Sequence, residues 1–330
     1  MKQPLNVAVI GYGMGGRVFH APPVSRTEGL QLAAIVSTRK AEIARDHPGV
    51  TVLTSPDAVF DDPTIDLVVV STPNAAHFDL ASRALARGKH VVVDKPFTTN
   101  AKDARALARR AEAAGKLLAV FHNFRWYSDY IALKHLIDDG TLGEIKYFES
   151  HFDRYAPQVP DAWRETPGPA GGMWWDLGPH LVDQALQLFG KPRAVMADMA
   201  IQREGGAAVD FFHVLLRYDS LRVVLTSCLV APADDLRFVV HGTKASFIKH
   251  GIDCRNGPDP HPGTLVMGDG VTKEAPTFRA DDRGFYAAVR DAIAGISSNP
   301  VPPEQAIAVM DLLELADRSA EERCELDVPA

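Results

Sequence analysis

The stretch Asn6-Val7-Ala8-Val9-Ile10-Gly11-Tyr12-Gly13-Met14-Gly15-Gly16 decides the fold. The valine-rich run 6–10 reads as a buried strand, and it passes without a break into a glycine-rich turn. Each spaced glycine has a mechanical task in such a turn. Gly11 allows the tight bend, Gly13 lets a pyrophosphate approach the backbone, and Gly16 lets the next helix pack closely. That helix offers its first N–H groups and the positive end of its dipole to phosphates. Tyr12, Met14 and Gly15 complete the candidate cofactor turn.

Outward from this turn, strands and helices alternate. The candidate strands are 6–10, 30–36, 51–53, 67–71, 90–93 and 117–121, with helical patterns at 76–87 and 101–114. Gly88 and Gly115 stand where helix C-caps belong. This rhythm predicts right-handed βαβ units and a doubly wound parallel sheet, a Rossmann domain over 1–122. After about residue 122 the pattern changes. A helix over 127–139 is followed by longer alternating runs at 144–153, 209–218, 221–229 and 237–241. Two helical segments, 282–293 and 303–322, close the chain, and the Pro- and Gly-rich stretches 156–172 and 256–270 read as loops. The expected fold is therefore α/β: a Rossmann domain plus an α+β domain over 123–330 with an open, mostly antiparallel sheet. The second domain is expected to serve substrate binding and oligomerisation.

The chain has 330 residues, 46% of them hydrophobic, and a net charge of −7. An acidic balance argues against nucleic-acid and membrane-surface partners. No stretch is apolar and long enough to span a bilayer. The start Met1-Lys2-Gln3-Pro4 runs straight into a strand, so no signal peptide is expected. Cys228, Cys254 and Cys324 are scattered, with neither metal-ligand spacing nor a disulfide framework. A reduced, cytoplasmic setting follows as the expectation.

Cofactor choice is read at the end of the second strand. The carboxylate that would grip an NAD ribose is missing from Val36-Ser37-Thr38-Arg39-Lys40. Ser37, Thr38 and Arg39 suit a 2′-phosphate instead, so NADP is expected ahead of NAD. The alternative is simply a basic start to the next helix. Thr72, Pro73 and Asn74 follow the fourth strand, and His77 lies close behind. They are candidates for the nicotinamide ribose, although Pro73-Asn74 is also ordinary turn chemistry, with Asn74 a plausible N-cap.

Asp94, Lys95 and Pro96 come directly after the buried strand 90–93. Open α/β sheets bind ligands at such strand ends. A lysine there can hydrogen-bond a reacting oxygen and stabilise alkoxide charge. The run Trp174-Trp175-Asp176-Leu177-Gly178-Pro179-His180-Leu181-Val182-Asp183 carries the second signal. Pro179 suits a first helical turn, which would set Asp176 and His180 on one face at a helix start. A His can take the hydroxyl proton of an alcohol while a carboxylate fixes its tautomer. The plainer alternatives are a packing His and an N-cap Asp. Asp176, His180 and Asp183 as metal ligands is a further alternative, but no further ligand is evident and no metal is expected. Trp126, Trp163, Trp174 and Trp175 fall in one stretch, suited either to sugar C–H faces or to a core.

With these three motifs in order, the chain resembles the glucose–fructose oxidoreductase/inositol dehydrogenase/MocA family over nearly its whole length. The usual Glu-Lys-Pro motif stands here as Asp94-Lys95-Pro96. The resemblance implies Lys95, Asp176 and His180 as catalytic residues. The runs Val18-Phe19-His20-Ala21-Pro22, Phe121-His122-Asn123-Phe124-Arg125-Trp126 and Glu149-Ser150-His151-Phe152-Asp153-Arg154 are similar to the branch of NADP-dependent scyllo-inositol dehydrogenases. It implies Trp163 and Arg164 near cofactor and substrate. Asn123 is expected at both. Arg125, His151 and Asp153 are candidate hydroxyl contacts, alongside Lys95, Asp176 and His180. The segment 250–273 looks short for that branch, which leaves the particular polyol open. The expected protein is a homo-oligomeric (dimeric or tetrameric) NADP-dependent dehydrogenase of carbohydrate metabolism, acting on a cyclitol or sugar. A nicotinamide-retaining glycosidase and a non-catalytic redox sensor are the competing readings.

Overall fold

The structure, a computed structural model, describes residues 3–160, 165, 166, 168, 170–233, 235–251 and 255–329. Its strands, in chain order, are β1 (Leu5–Ile10), β2 (Leu30–Val36), β3 (Thr51–Leu53), β4 (Leu67–Val70), β5 (His90–Val93), β6 (Leu118–Val120), β7 (Ile145–His151), β8 (Ala194–Ala200), β9 (Phe211–Arg217), β10 (Arg222–Cys228), β11 (Leu236–Gly242), β12 (Ala245–His250), β13 (Gly257–Pro258), β14 (Thr264–Met267), β15 (Thr272–Glu274), β16 (Arg279–Ala280) and β17 (Leu326–Asp327). The chain divides into two compact units. One holds 1–122 and 282–310, the other 123–281 and 311–330.

In the first unit six strands run parallel in the order β3-β2-β1-β4-β5-β6. This is the doubly wound arrangement, with its reversal of strand order between β1 and β4. β4 and the three valines of β5 are fully buried, as a sheet covered on both faces demands. The helices His77–Ala86 and Ala101–Ala114 pack against each other beside it. Asn100 caps the second helix by accepting from the Asp103 amide at 2.8 Å, and Gly115 ends it at φ +61°.

The stretch 123–330 is not one body. The helix Gly284–Ile293 belongs with the nucleotide fold, because its aromatic residues are used there. Phe285 meets Phe121 edge-on at 4.9 Å, and Tyr286 is buried against His20.

In the second unit nine strands follow the order β15-β14-β12-β11-β7-β10-β9-β8-β17. Every neighbouring pair is antiparallel except β7 with β10. The helix Gly172–Phe189 packs on one face, where Trp174 meets Phe212 and Phe189 meets Phe148. The other face presents Met196, Leu215, Val239 and Ile248 by strand alternation. The stretch 256–270, expected as a loop, holds β13 and β14. Pairing with β12 makes a strand of Thr264–Met267 despite its Gly-rich flanks.

The expectation for Pro179 was also wrong. The helix starts at Gly172, seven residues earlier, after Gly171 in extended conformation. Pro179 therefore sits inside the helix, where it cannot donate to the Trp175 carbonyl. Asp176 is then an interior residue rather than an N-cap. Gly178 makes room for the indole of Trp174, since a Cβ there would lie 2.6 Å from the ring.

Candidate active site

The glycine turn has the geometry its spacing predicts. Gly11 lies at φ +104°, and a Cβ on it would be 2.0 Å from the Ser71 carbonyl oxygen. A Cβ on Gly16 would be 2.0 Å from the Gly11 carbonyl oxygen, so the helix sits directly on the turn. Gly13 has nothing within 4 Å of its ideal Cβ. That open backbone is what a pyrophosphate requires. The residues present fit a dinucleotide. One turn of π-helix, Gly15–His20, leads into the helix Ala21–Arg26. Tyr12 donates to Asp46 at 3.2 Å, and Arg17 reaches the same carboxylate at 2.9 Å. Burial and that carboxylate push the Tyr12 phenol up to about 12.

After β2, Ser37 Oγ accepts from the Arg39 amide at 3.2 Å. The Arg39 guanidinium is 52% exposed and lies 3.6 Å from Glu42. It is accessible to a ligand on the adenosine side of the sheet. After β4, Asn74 begins a single 3₁₀ turn, Asn74–Ala76, behind Pro73, so it caps no α-helix. His77 is a strut rather than an open ligand contact. Its Nδ1 lies 2.9 Å from the Pro96 carbonyl oxygen and its Nε2 3.0 Å from that of Thr72. It ties the loop after β4 to the loop after β5, and burial pushes its pKa down. Lys95 and Pro96 sit on that second loop, with the Lys95 amide donating to Asp94 at 2.8 Å.

In the second unit, Asp176 and His180 are four apart on the helix Gly172–Phe189. The imidazole of His180 is buried and stacks on Phe124, with ring centres 3.9 Å apart and planes within 9°. Tyr127 stacks on Phe124 in turn at 4.4 Å and accepts a hydrogen bond from the Asn123 amide at 3.0 Å. Phe124 therefore fixes the plane of the His180 ring, a role the sequence reading missed. Asp183, one turn beyond His180, is held by Arg125 through two bonds of 2.9 and 2.5 Å. That buried pair takes Asp183 out of the alternative metal set and gives Arg125 a structural task. Among the described residues no group of three His, Cys, Asp or Glu side chains could hold a metal ion.

The expected substrate contacts His151 and Asp153 are not brought to His180. Phe148 and Ser150 of β7 face the helix Gly172–Phe189: Phe148 meets Phe189, and Arg237 binds both Ser150 and Gln184 of that helix. Tyr147, Glu149 and His151 alternate to the opposite face. There His151 bridges Glu149 at 2.9 Å and Asp153 at 3.0 Å. Burial acts to lower the His151 pKa, but the two carboxylates outweigh it and the net shift is upward. The tryptophans on the helix are core. Trp174 donates to the Leu313 carbonyl at 3.1 Å and Trp175 to Asp317 at 2.8 Å. Trp163 and Arg164 lie outside the described residues.

A glycine turn of this geometry at the reversal of a doubly wound sheet is the arrangement of a dinucleotide-binding protein. The chain matches the oxidoreductase family with NAD-binding Rossmann fold over residues 5–122, and the GFO/IDH/MocA C-terminal domain over 130–248. It belongs to this GFO/IDH/MocA family and is an NAD(P)-dependent dehydrogenase. It is 45% identical to the uncharacterized oxidoreductase YdgJ of Escherichia coli K12 over 99% of each chain. It is 35% identical to the NADP(+) scyllo-inositol 2-dehydrogenase IolW of Bacillus subtilis 168, over 97% of this chain and 94% of that one. The solved structure of YPO2259 from Yersinia pestis, 44% identical, superposes with a TM-score of 0.94 over 100% of this chain and 99% of that one. No helix among the described residues is long and apolar enough to cross a membrane.

Proposed function

We propose that the protein is an NADP-dependent dehydrogenase that transfers a hydride between the nicotinamide and a ring carbon of a cyclitol or sugar. The observation that carries this reading is the end of β2, where Ser37, Thr38 and the exposed Arg39 replace the expected carboxylate. The similarity to IolW supports it across almost the whole chain. The glycine turn and Arg39 would hold NADP, which would supply the hydride acceptor for the carbinol carbon. The chain's own residues handle the proton and the oxygen. Lys95 hydrogen-bonds the substrate oxygen and stabilises its developing negative charge. His180 takes the hydroxyl proton, and Asp176 orients its ring. The alcohol thereby becomes a ketone, with one hydride and one proton leaving it. Phe124 holds His180 in plane for that exchange. The setting proposed is the cytoplasm, with the protein assembled as a homo-oligomer.

A panel of cyclitols and sugars with NADP⁺, followed at the absorbance of reduced nicotinamide, tests the activity. Lys95→Ala and His180→Ala should each lower kcat by ~10²–10⁴-fold while leaving NADPH binding in place. Asp176→Asn should act in the same way, and the losses should not multiply, because the groups work as one unit. Normal turnover by folded Lys95→Ala or His180→Ala protein would remove this mechanism.

A further inference from the structure

The loop that carries Lys95 also anchors a buried chain of titratable groups for which the proposed hydride transfer has no use. Tyr286 Oη lies 2.5 Å from His20 Nδ1, and His20 Nε2 lies 3.1 Å from Asp94 Oδ2. An ionised carboxylate only accepts, so the Nε2 that faces it carries the proton. Ser71 Oγ donates to the same Oδ2 at 3.1 Å, and the Lys95 amide donates to Oδ1 at 2.8 Å. Three donors converge on one carboxylate. Burial works against its ionisation, but the charge and hydrogen bond of His20 and the nearby Lys95 outweigh burial. The Asp94 carboxyl is held well below the usual carboxylate range.

The position of this anion is as telling as its partners. Asp94 follows β5 and Ser71 follows β4. A Cβ built on Gly15 would lie 2.4 Å from Ser71 Oγ and 2.8 Å from Asp94 Oδ2. The carboxylate therefore abuts the dinucleotide turn, beside the point where the strand order reverses. In such sheets the adenosine ribose is read after β2, which leaves the β4–β5 half for the nicotinamide end. An oxidised nicotinamide ring carries a positive charge, and a reduced ring carries none. A fixed negative charge in that half distinguishes the two.

We infer that Asp94, held in place by His20 and Ser71, sets the redox-state preference of the cofactor site and draws the oxidised dinucleotide over the reduced one. This rests on the dinucleotide reading of the glycine turn. Tyr286 and His20 are positioning residues for the carboxylate, and their burial explains why the segment 282–310 returns to this unit. Lys95, His20, His77 and Tyr286 are the other charged or titratable groups around Asp94. Every Asp94 variant keeps these side chains, so the comparison at one pH reads the carboxylate together with any proton its loss releases from His20 or His77.

The test is a pair of binding titrations, NADP⁺ and NADPH, on wild type and Asp94→Asn. The Asn variant should raise the ratio of the NADP⁺ to the NADPH dissociation constant by roughly tenfold, the scale of one unit charge acting over about 12 Å at an effective dielectric near 20. Asp94→Glu keeps the charge and should leave the ratio within about twofold of wild type. Asp94→Ala removes the same charge should the Asn variant not fold. An unchanged ratio in a folded, charge-removing variant that binds both cofactors overturns the inference. A wild type that binds neither cofactor sinks the dinucleotide reading itself, and this inference with it.

Discussion

Replacing Asp317 with Asn should stabilise the protein, and only above mildly acidic pH. Asp317 accepts from the Trp175 indole at 2.8 Å, next to Asp176 on the helix that carries His180. Burial, then the nearby Glu321 and Glu314, raise its pKa from 3.8 to about 6, although the Trp175 bond pulls the other way. The folded chain thus holds a proton that the unfolded chain releases. Its stability is fully present below pH 4, falls as pH rises through the window from about 4 to 6, and stays lowered above it. About two pH units at ~1.36 kcal/mol each set an upper bound near 3 kcal/mol. Asp317 is only half-buried, so solvent screening reduces this to about 1–2 kcal/mol. The Asn variant keeps an oxygen for Trp175 and carries no charge to desolvate. For a unit of this size its Tm at pH 8 should rise by ~2–6 °C, and the gain should shrink toward zero by pH 4. Thermal unfolding of both proteins across pH 4–8, followed by tryptophan fluorescence, checks it. Equal Tm at pH 8, or a gain of constant size across the range, would refute the reasoning.

Four more outcomes follow from the geometry. Gly13→Ala should leave the Tm of the cofactor-free protein unchanged, because its Cβ meets nothing within 4 Å, yet weaken cofactor binding by tenfold or more as judged by titration. Gly16→Ala should instead cost about 1–3 kcal/mol of stability in the same melts, because its Cβ would sit 2.0 Å from the Gly11 carbonyl oxygen. Arg39→Ala should weaken NADPH far more than NADH, by about 1.5–3 kcal/mol, and equal losses would return the site to NAD. The outer face of the nine-stranded sheet, with Met196 50% exposed, should be covered by a second copy, so light scattering at micromolar concentration should show at least a dimer.

What could be read in the sequence was what local physics dictates. A glycine that must accept a positive φ or a carbonyl at 2.0 Å leaves no substitute, so the turn at Gly11–Gly16 was legible from spacing alone. The valine runs of β4 and β5 were legible because a sheet covered on both faces leaves no position for a polar residue. The rules failed where a tertiary partner overrode them. Pro179 obeys a local preference for helix starts. The helix nevertheless runs through it, pinned by Trp174 and Trp175 to residues about 140 positions along the chain. Strand alternation, already visible in Tyr147-Phe148-Glu149-Ser150-His151, sets His151 and Ser150 on opposite faces. Applying it would have removed His151 from the surroundings of His180.

The chain from Tyr286 through His20 to Asp94 was beyond sequence reasoning for a different reason. His20 and Tyr286 are 266 residues apart, and neither belongs to a pattern whose spacing encodes contact. His20 stands in the run 18–22 that carries the family resemblance, but resemblance supplies a position without a task. The structure supplies the task through the short acid. The Asp94 side chain is short, and its carboxylate stays close to its own backbone, near enough for its Oδ1 to accept from the Lys95 amide. Its other oxygen is met by His20 from one side and Ser71 from another. Removing either donor should loosen the carboxylate without removing its charge. His20→Ala and Ser71→Ala should therefore disturb the redox-state preference less than Asp94→Asn does. The same two titrations read that order, and a larger effect from either donor would transfer the role from the carboxylate to the donor.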